Sequence, residues 1–404
     1  MYDADLIREM RAIVFLCVWL CSHACQTDED CSLLGGCHHG KCVCDHGWTG
    51  KTCSTADLKP LDVGQGYHNK SAATWGGRAV LEPDGRTWSM FVAQFSKKCP
   101  LRCWIGNSQV VRAVSTTGPA GPYSWEEEVF PEFHHNPTVI GPTSDGYYLL
   151  FMIGTTNTSD VYDCTSGVIC PAPEDEPDAP AKTGVIDMAW STSPRGPWRS
   201  RTILKNYDTP GKSAHDWDYW VSNPSALLLE DGGVALVFRS RPGDRFKENL
   251  GVAFAPTWNA TFTQEPEPIY EAPEFNSTPT NGAGNIEDPF VWQDARKNFH
   301  IIAHSQGNTN VCGGGQPSGC GACSIHLYAK SMRGTWTPCL EPVFTNTTVL
   351  SNGSTVDMFT KQRPQIVFDP ADGVTPRALV VGGSFDEYNR GNVSLERTFV
   401  FEFN

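Results

Sequence analysis

One phrase returns five times along the chain and narrows the folds open to it. "WGGRAVLEPDGRTWSMFVAQF" from Trp75, "NPTVIGPTSDGYYLLFMIG" from Asn136, "NPSALLLEDGGVALVFRS" from Asn223, "DPFVWQDARKNFHIIAHS" from Asp288 and "RPQIVFDPADGVTPRALVVGGS" from Arg363 each read as a strand, a turn usually built on Asp-Gly, and a second apolar strand. Four of the five open on a residue followed by Pro, which is expected to hold that residue extended and to suit the first position of a strand. A second phrase, a strand with a Gly and an aromatic, follows several copies ("AVSTTGPAGPYSWEEEV", "AWSTSPRGPWRSRTIL", "YAKSMRGTWTPCLEPVF" and, more faintly, "AFAPTWNATFTQEPEPIY") and brings each unit to about four strands. Helical periodicity is nearly absent. Five four-stranded units predict an all-β five-bladed β-propeller over residues 60–404, because radial repetition leaves only short edges. A β-sandwich would explain the strands but not the return of the same two phrases.

The 404 residues are 40% hydrophobic and 19% charged, enough to bury a large core. A formal net charge of -14 argues against nucleic acid and anionic membrane surfaces as partners, since binding either adds repulsion. At the start, Met10-Arg11 precede the apolar run "AIVFLCVWLC" and then "SHA", small residues at both cleavage-determining positions before Cys25, so residues 1–24 read as a secretory signal peptide. The run is too short for a stable membrane anchor, and no later segment reads as a span. The acidic "MYDADLIRE" is unusual ahead of such a signal and points to Met10 as the initiator. Of 16 Cys, two fall in the signal, six in residues 25–53 and eight beyond, even sets that suit an oxidising compartment. Asn-x-Ser/Thr occurs at Asn69, Asn157, Asn259, Asn276, Asn346, Asn352 and Asn392. Together these features predict a secreted, extracellular glycoprotein.

Residues 25–54 form a unit of their own. "CQTDEDCSLLGGCHHGKCVCDHGWTGKTC" has six Cys and hardly any apolar side chain, so cross-links must hold it. Spacing alone leaves fifteen connectivities open. The Cys42-x-Cys44 pair and the closing Gly-Trp-Thr-Gly-x-x-Cys turn resemble the EGF-like family, and that resemblance implies Cys25–Cys37, Cys31–Cys42 and Cys44–Cys53. The calcium-binding start used by some of its members is missing before the first Cys, "TDED" reads as a solvated acidic turn, and the Cys of "CHHGKC" read as disulfides, so no metal is expected here. The sequence names no protein partner for the module. Beyond it, "KKCPLRC" suggests a local Cys99–Cys103 bridge, and Cys164–Cys170 would staple the Pro-rich acidic loop of the second unit. Cys312, Cys320, Cys323 and Cys339 remain, and two disulfides suit them better than a zinc cluster.

In a propeller the residues just before the five inner strands converge on one funnel. Here the set is Trp75, Gly76 and Gly77, His134, His135 and Asn136, Ser222 and Asn223, Glu287 and Asp288, and Gln362 and Arg363. Acids, amides, a cation and aromatics in one concavity suit a sugar site. The competing structural reading has Asp288 capping backbone amides and Arg363 pairing with it. The strand openings and the "SxxPxGPW" phrase resemble glycoside hydrolase family 43 and the related arabinanase and invertase propellers. That resemblance implies a general-base Asp at the first opening, a pKa-tuning Asp at the third and a general-acid Glu two residues before the Pro of the fourth. Glu287 matches the last; Trp75 or Gly76 stands where the base is expected, and Asn223 replaces the tuning Asp.

Inverting cleavage needs a protonated carboxyl and a carboxylate roughly 6.5–9.5 Å apart. Asp288 should point away from Glu287 along an extended strand, so the candidate partners are Asp216 or Asp218 in "SAHDWDYW", His135 as a near-neutral proton exchanger, or His68. Trp75, His134, Asn136, Asn223, Trp217 and Arg363 are the expected sugar contacts. The reading inclines to an O-glycosyl hydrolase with a non-standard catalytic set, using Glu287, Asp288, Asp216 and His135 on an extracellular poly- or oligosaccharide. Its alternative is a lectin-like propeller that binds glycans without cutting them. No cofactor is implied; the resemblance leaves open only a structural calcium near the axis, ligated by His135, Asp288 and water.

Overall fold

The computed structural model describes residues 24–155, 160–167, 170, 183–207, 209–243, 247–272, 285–306, 324–339, 341–385 and 396–404. Residues 1–23 of the expected signal peptide, Asn157, Asn276, Asn392, Cys312, Cys320 and Cys323 lie outside this set.

Five antiparallel sheets follow one another, each built from the axis outward. Blade 1 uses Thr74–Leu81, Trp88–Phe95, Ser108–Ser115 and Ser124–Phe130. Blade 2 uses His135–Ile140, Tyr148–Gly154, Val185–Ser191 and Arg199–Lys205. Blade 3 uses Trp220–Leu228, Val234–Arg241 and Asn249–Ala255, with its outer strand split between Thr263–Gln264 and Tyr270–Glu271. Blade 4 uses Asn285–Gln293, Phe299–Gln306, Ser324–Ala329 and Thr337–Pro338. Among the described residues blade 5 uses three strands, Thr360–Phe368, Pro376–Ser384 and Arg397–Glu402.

The middle strands are apolar on both faces because each blade is sandwiched between two others. Phe91, Val139 and Leu150 fill the seam between blades 1 and 2, and Leu149, Phe151 and Leu236 the next. Val237, Leu250 and Ile301 join blades 3 and 4, Phe290, Ile302 and Ile366 join 4 and 5, and Val92, Val380 and Val400 close 5 onto 1. Each such side chain contributes about 1.5–3 kcal/mol by leaving water. The open outer edge of blade 5 is covered by the segment leading into the propeller: Leu58 bridges Phe403, Tyr67 bridges Thr398, and the Lys59 amide donates to Glu402 O at 2.9 Å.

Every inner strand slips register against its neighbour near its start. The residue at each slip has positive φ: Gly76 (58°), Asn136 (51°), Asn223 (47°), Asp288 (57°) and Arg363 (54°). The extended conformation expected before Pro is therefore corrected. A β-bulge inserts one residue and turns it toward the axis, and for non-glycine residues this left-handed geometry costs on the order of 1–3 kcal/mol each.

The disulfide-rich module carries the bridges Cys25–Cys37, Cys31–Cys42 and Cys44–Cys53. It is not a detached bead. Trp48 stacks on Trp292 of blade 4 (5.9 Å between ring centroids) and meets Phe403, Arg296 grips Asp45, and the Tyr328 hydroxyl donates to Glu29 O at 2.9 Å. Cys31, Leu34, Trp48 and Cys53 belong to the same apolar cluster as Phe290 and Ile366.

The later cysteines correct the expectation of local staples. Cys99 pairs with Cys164 and Cys103 with Cys170, not Cys99 with Cys103 or Cys164 with Cys170. Each loop joins the second and third strands of its blade, so both emerge at the same end of neighbouring sheets, and the bridges tie blade 1 to blade 2. Cys339 is buried beneath the module, where its thiol donates to Ser32 Oγ at 3.1 Å. Of the described glycosylation candidates, Asn259 and Asn352 are exposed and Asn346 is half-buried. Asn69 is also half-buried, and its Nδ2 donates to Gln94 Oε1 at 2.9 Å.

Candidate functional site

The five bulges bring Gly76, Asn136, Asn223, Asp288 and Arg363 together on the axis. Asp288 Oδ1 accepts from Asn223 Nδ2 (2.7 Å), Asn136 Nδ2 (3.1 Å) and Arg363 Nη1 (3.3 Å). Arg363, 0% exposed, also donates through Nη2 to the carbonyl oxygens of Asn136 (2.8 Å) and Pro224 (3.3 Å). Burial raises the Asp288 pKa while Arg363 pulls it down. A Cβ on Gly76 would sit 2.3 Å from Arg363 Cγ, which explains why blade 1 departs from its four counterparts. This knot ties four blades, and it engages Asp288, Asn136, Asn223 and Arg363 with one another across the axis.

One residue earlier on each inner strand stands a second ring: Trp75, His135, Ser222, Glu287 and Gln362. Glu287 is its one acid, and its side chain is 16% exposed. Its Oε2 meets Arg239 Nη1 at 3.1 Å, and its Oε1 accepts from His304 Nδ1 at 3.1 Å. Arg239, at the mouth end of the second strand of blade 3, also pairs with the fully buried Glu248. Burial pushes the Glu248 carboxyl up against the pull of that guanidinium. Arg239 and Arg241 lie 5.7 and 3.9 Å from the ring centroid of Trp220, which packs with Ile105 and Trp104. One wall of the mouth is thus two guanidiniums around an indole, with the Glu287 carboxylate beside them.

The other candidates, including His135 and Trp75 of the same ring, are engaged in packing or in other hydrogen bonds. His135 is buried, stacks on Trp104 (5.1 Å), and shares a hydrogen bond between Nδ1 and Ser108 Oγ (2.8 Å). Burial, aided by Arg363, lowers its pKa to about 3, so it stays neutral and does not exchange protons near neutrality as expected. His68 packs edge-on against Phe399 and is lowered by burial to about 4. Asp218 is buried and accepts from Asn206, Gln264 and Lys212, and Asp216 accepts from the Ser213 amide at 2.8 Å. Trp217 donates to Pro266 O and packs in the seam between blades 2 and 3, whereas Trp220, the last residue of "HDWDYW", lies against Arg239 and Arg241. Trp75 is buried against Phe95 and Gly382, and His134 turns to Phe130 on the outer strand of blade 1. Arg239, Arg241 and His304 are not among the residues expected from the sequence. Their signal was there in "VALVFRSR" and "FHIIAHS", where charged or polar residues end apolar second strands.

Ligand atoms of Glu287, Asp288 and His304 lie within 4.8 Å of one another. They do not fit a structural calcium near the axis. Asp288 Oδ1 already has three donors, Arg239 occupies Glu287, and one imidazole with two engaged carboxylates falls short of six to eight oxygens.

No family model and no curated protein matches this chain. Among solved structures, an endo-arabinase from Bacteroides thetaiotaomicron VPI-5482 aligns at 12% identity and TM-score 0.51, over 86% of this chain and 98% of that one. An α-L-arabinofuranosidase from Lactobacillus brevis aligns at 14% and 0.51, over 86% and 93%. A thermostable family-43 glycoside hydrolase aligns at 10% and 0.50, over 86% and 92%. The shared feature is the fold, a five-bladed β-propeller.

Proposed function

We propose that the protein binds an extracellular poly- or oligosaccharide at the propeller mouth without cleaving it. The observation carrying this reading is the condition of the two acids at the fourth opening. Asp288 is locked beneath three donors, and Glu287 is clamped between Arg239 and His304. A general acid must hold a proton for the leaving oxygen, whereas a guanidinium neighbour favours a carboxyl's charged form. Within the ring Trp75, His135, Ser222, Glu287 and Gln362, Glu287 is the one acid, so the ring itself supplies no second carboxyl as base. What remains suits recognition: a carboxylate that accepts sugar hydroxyls, guanidiniums that donate to them, and aromatic surface. In this reading the secreted disulfide-rich module acts as a rigid base and presents the mouth outward.

The hydrolytic reading keeps one specific support, the register of Glu287 two residues before Pro289. A single experiment separates the two. Purified protein is incubated with neutral and acidic plant and algal polysaccharides, and both retained glycan and new reducing ends are measured. Retention without new ends, weakened at least tenfold by Arg239→Met, is the expected result. Reducing ends that disappear in Glu287→Gln would establish hydrolysis, and no retention by folded protein would remove the glycan reading altogether.

A further inference from the structure

The two bridges that tie blade 1 to blade 2 run side by side, and their four sulfurs meet in one place. The Sγ atoms of Cys99, Cys103, Cys164 and Cys170 all lie within 4.8 Å of one another. Cys103 Sγ and Cys164 Sγ, which belong to different bridges, are 3.7 Å apart. Two bridges between neighbouring loops need no common centre; four sulfurs around one metal ion do. Thiolates held at about 2.3 Å from a zinc ion stand about 3.8 Å apart along each edge of the tetrahedron, so the gap between the bridges already has that width. The bonded pairs would reach it by parting roughly 1.7 Å.

Opening the bridges leaves the loops joined. Asn107, 0% exposed, donates through Nδ2 to Tyr162 O at 2.9 Å and accepts the Tyr162 amide on Oδ1 at 3.1 Å, and Arg102 Nε donates to Cys170 O at 3.0 Å. These bonds cross from the blade 1 loop to the blade 2 loop without using sulfur. Arg102 also brings a guanidinium beside the cluster, which favours thiolate over thiol. Cys99, Cys103 and Cys170 are buried, while Cys164 is half-buried and gives an ion its way in.

We infer that the same four cysteines form a structural zinc site in the reduced protein. An external dithiol gives two electrons and two protons to each bridge and is itself oxidised to a disulfide. Zinc then displaces the four thiol protons to solvent and takes over the tie between the blades. In the disulfide-rich module Cys25, Cys31 and Cys42 also lie close together, but they offer three ligands, one short of a closed site. The inference stands whether or not the mouth binds sugar.

Cobalt(II) titration of the full-length protein tests it, after reduction by a phosphine, which does not compete for the metal as a dithiol would. One equivalent should bring up the visible bands of tetrahedral tetrathiolate cobalt, and zinc should bleach them. The oxidised protein should show no such bands. Cys103→Ser combined with Cys170→Ser removes one bridge, keeps Cys99–Cys164 and the bridges of the module, and should weaken the bands at least tenfold. No tetrathiolate band in the reduced wild type, or the same band in the oxidised protein or in the variant, overturns the inference. If the variant does not fold, alkylation of the reduced wild type decides. Zinc should slow iodoacetamide at least tenfold at Cys99, Cys103, Cys164 and Cys170 by peptide mapping, and protection confined to other cysteines overturns the site.

Discussion

Glu287 and Asp288 are neighbours with nearly the same chemistry and opposite fates. The bulge at Asp288 turns its carboxylate into the axis, where two amides and a guanidinium surround it, while Glu287 stays at the rim. Removing a charge from the two sites therefore should not cost the same. Asp288→Asn leaves Arg363 buried with no counter-ion, and stranding one partner of a buried pair costs about 3–5 kcal/mol. The expected result is a loss of that size in urea denaturation, with the disulfides intact. A loss below about 1 kcal/mol would mean that Arg363 is held by the carbonyls of Asn136 and Pro224 alone. Nothing in the local sequence separates a tying acid from a reacting one. The distinction depends on a positive φ that the Asp-Pro pair was expected to prevent.

At the level of strands and loops, the repeated phrase made the blades legible, because apolar runs broken by Asp-Gly turns leave few alternatives. The convergence of Glu287, His135 and Trp75 on one ring was legible too, since position along an inner strand fixes height along the axis. What could not be read was partnership across blades. Cys99 lies four residues from Cys103, but 65 from the Cys164 it joins. Only the side-by-side arrangement of two sheets makes the longer pairing the shorter path. The N-terminal module shows the same limit: its scarcity of apolar residues points to cross-links, while nothing in its sequence shows that Trp48 completes a core begun by Trp292 and Phe403. Trp48→Ala should therefore destabilise the propeller itself, by about 3–5 kcal/mol as for other buried tryptophans. Chemical denaturation followed by propeller tryptophan fluorescence checks this. A shift under about 1 kcal/mol would show the module to be an appendage.

The whole ring carries a liability toward acid. His135 and His68 are lowered by burial to about 3 and about 4, His326 well below its ordinary 6.5, and His300 is lowered despite Asp294 beside it. These imidazoles are neutral when folded and ordinary when unfolded. Below pH ~6.5 the unfolded chain therefore binds more protons, and stability, complete above that pH, is lost as pH falls toward each folded value. Each group contributes a slope on the order of 1.4 kcal/mol per pH unit once its unfolded form is protonated. His300 and His326 stack beneath Trp48 and Trp292, with the His300 and His326 nitrogens 3.0 Å apart, so protonating either puts charge into the seam that holds the disulfide-rich module. Urea midpoints measured from pH 7.5 to 4.5 should fall steeply below about 6. Amide exchange at Trp48 and Thr49 should rise before exchange in the middle strands of blades 1 and 2, which lack this seam. His300→Gln, keeping a polar group near Asp294, should flatten part of the slope. A midpoint that stays level across the range would mean that the imidazoles take up protons without leaving their places, and that the seam tolerates charge.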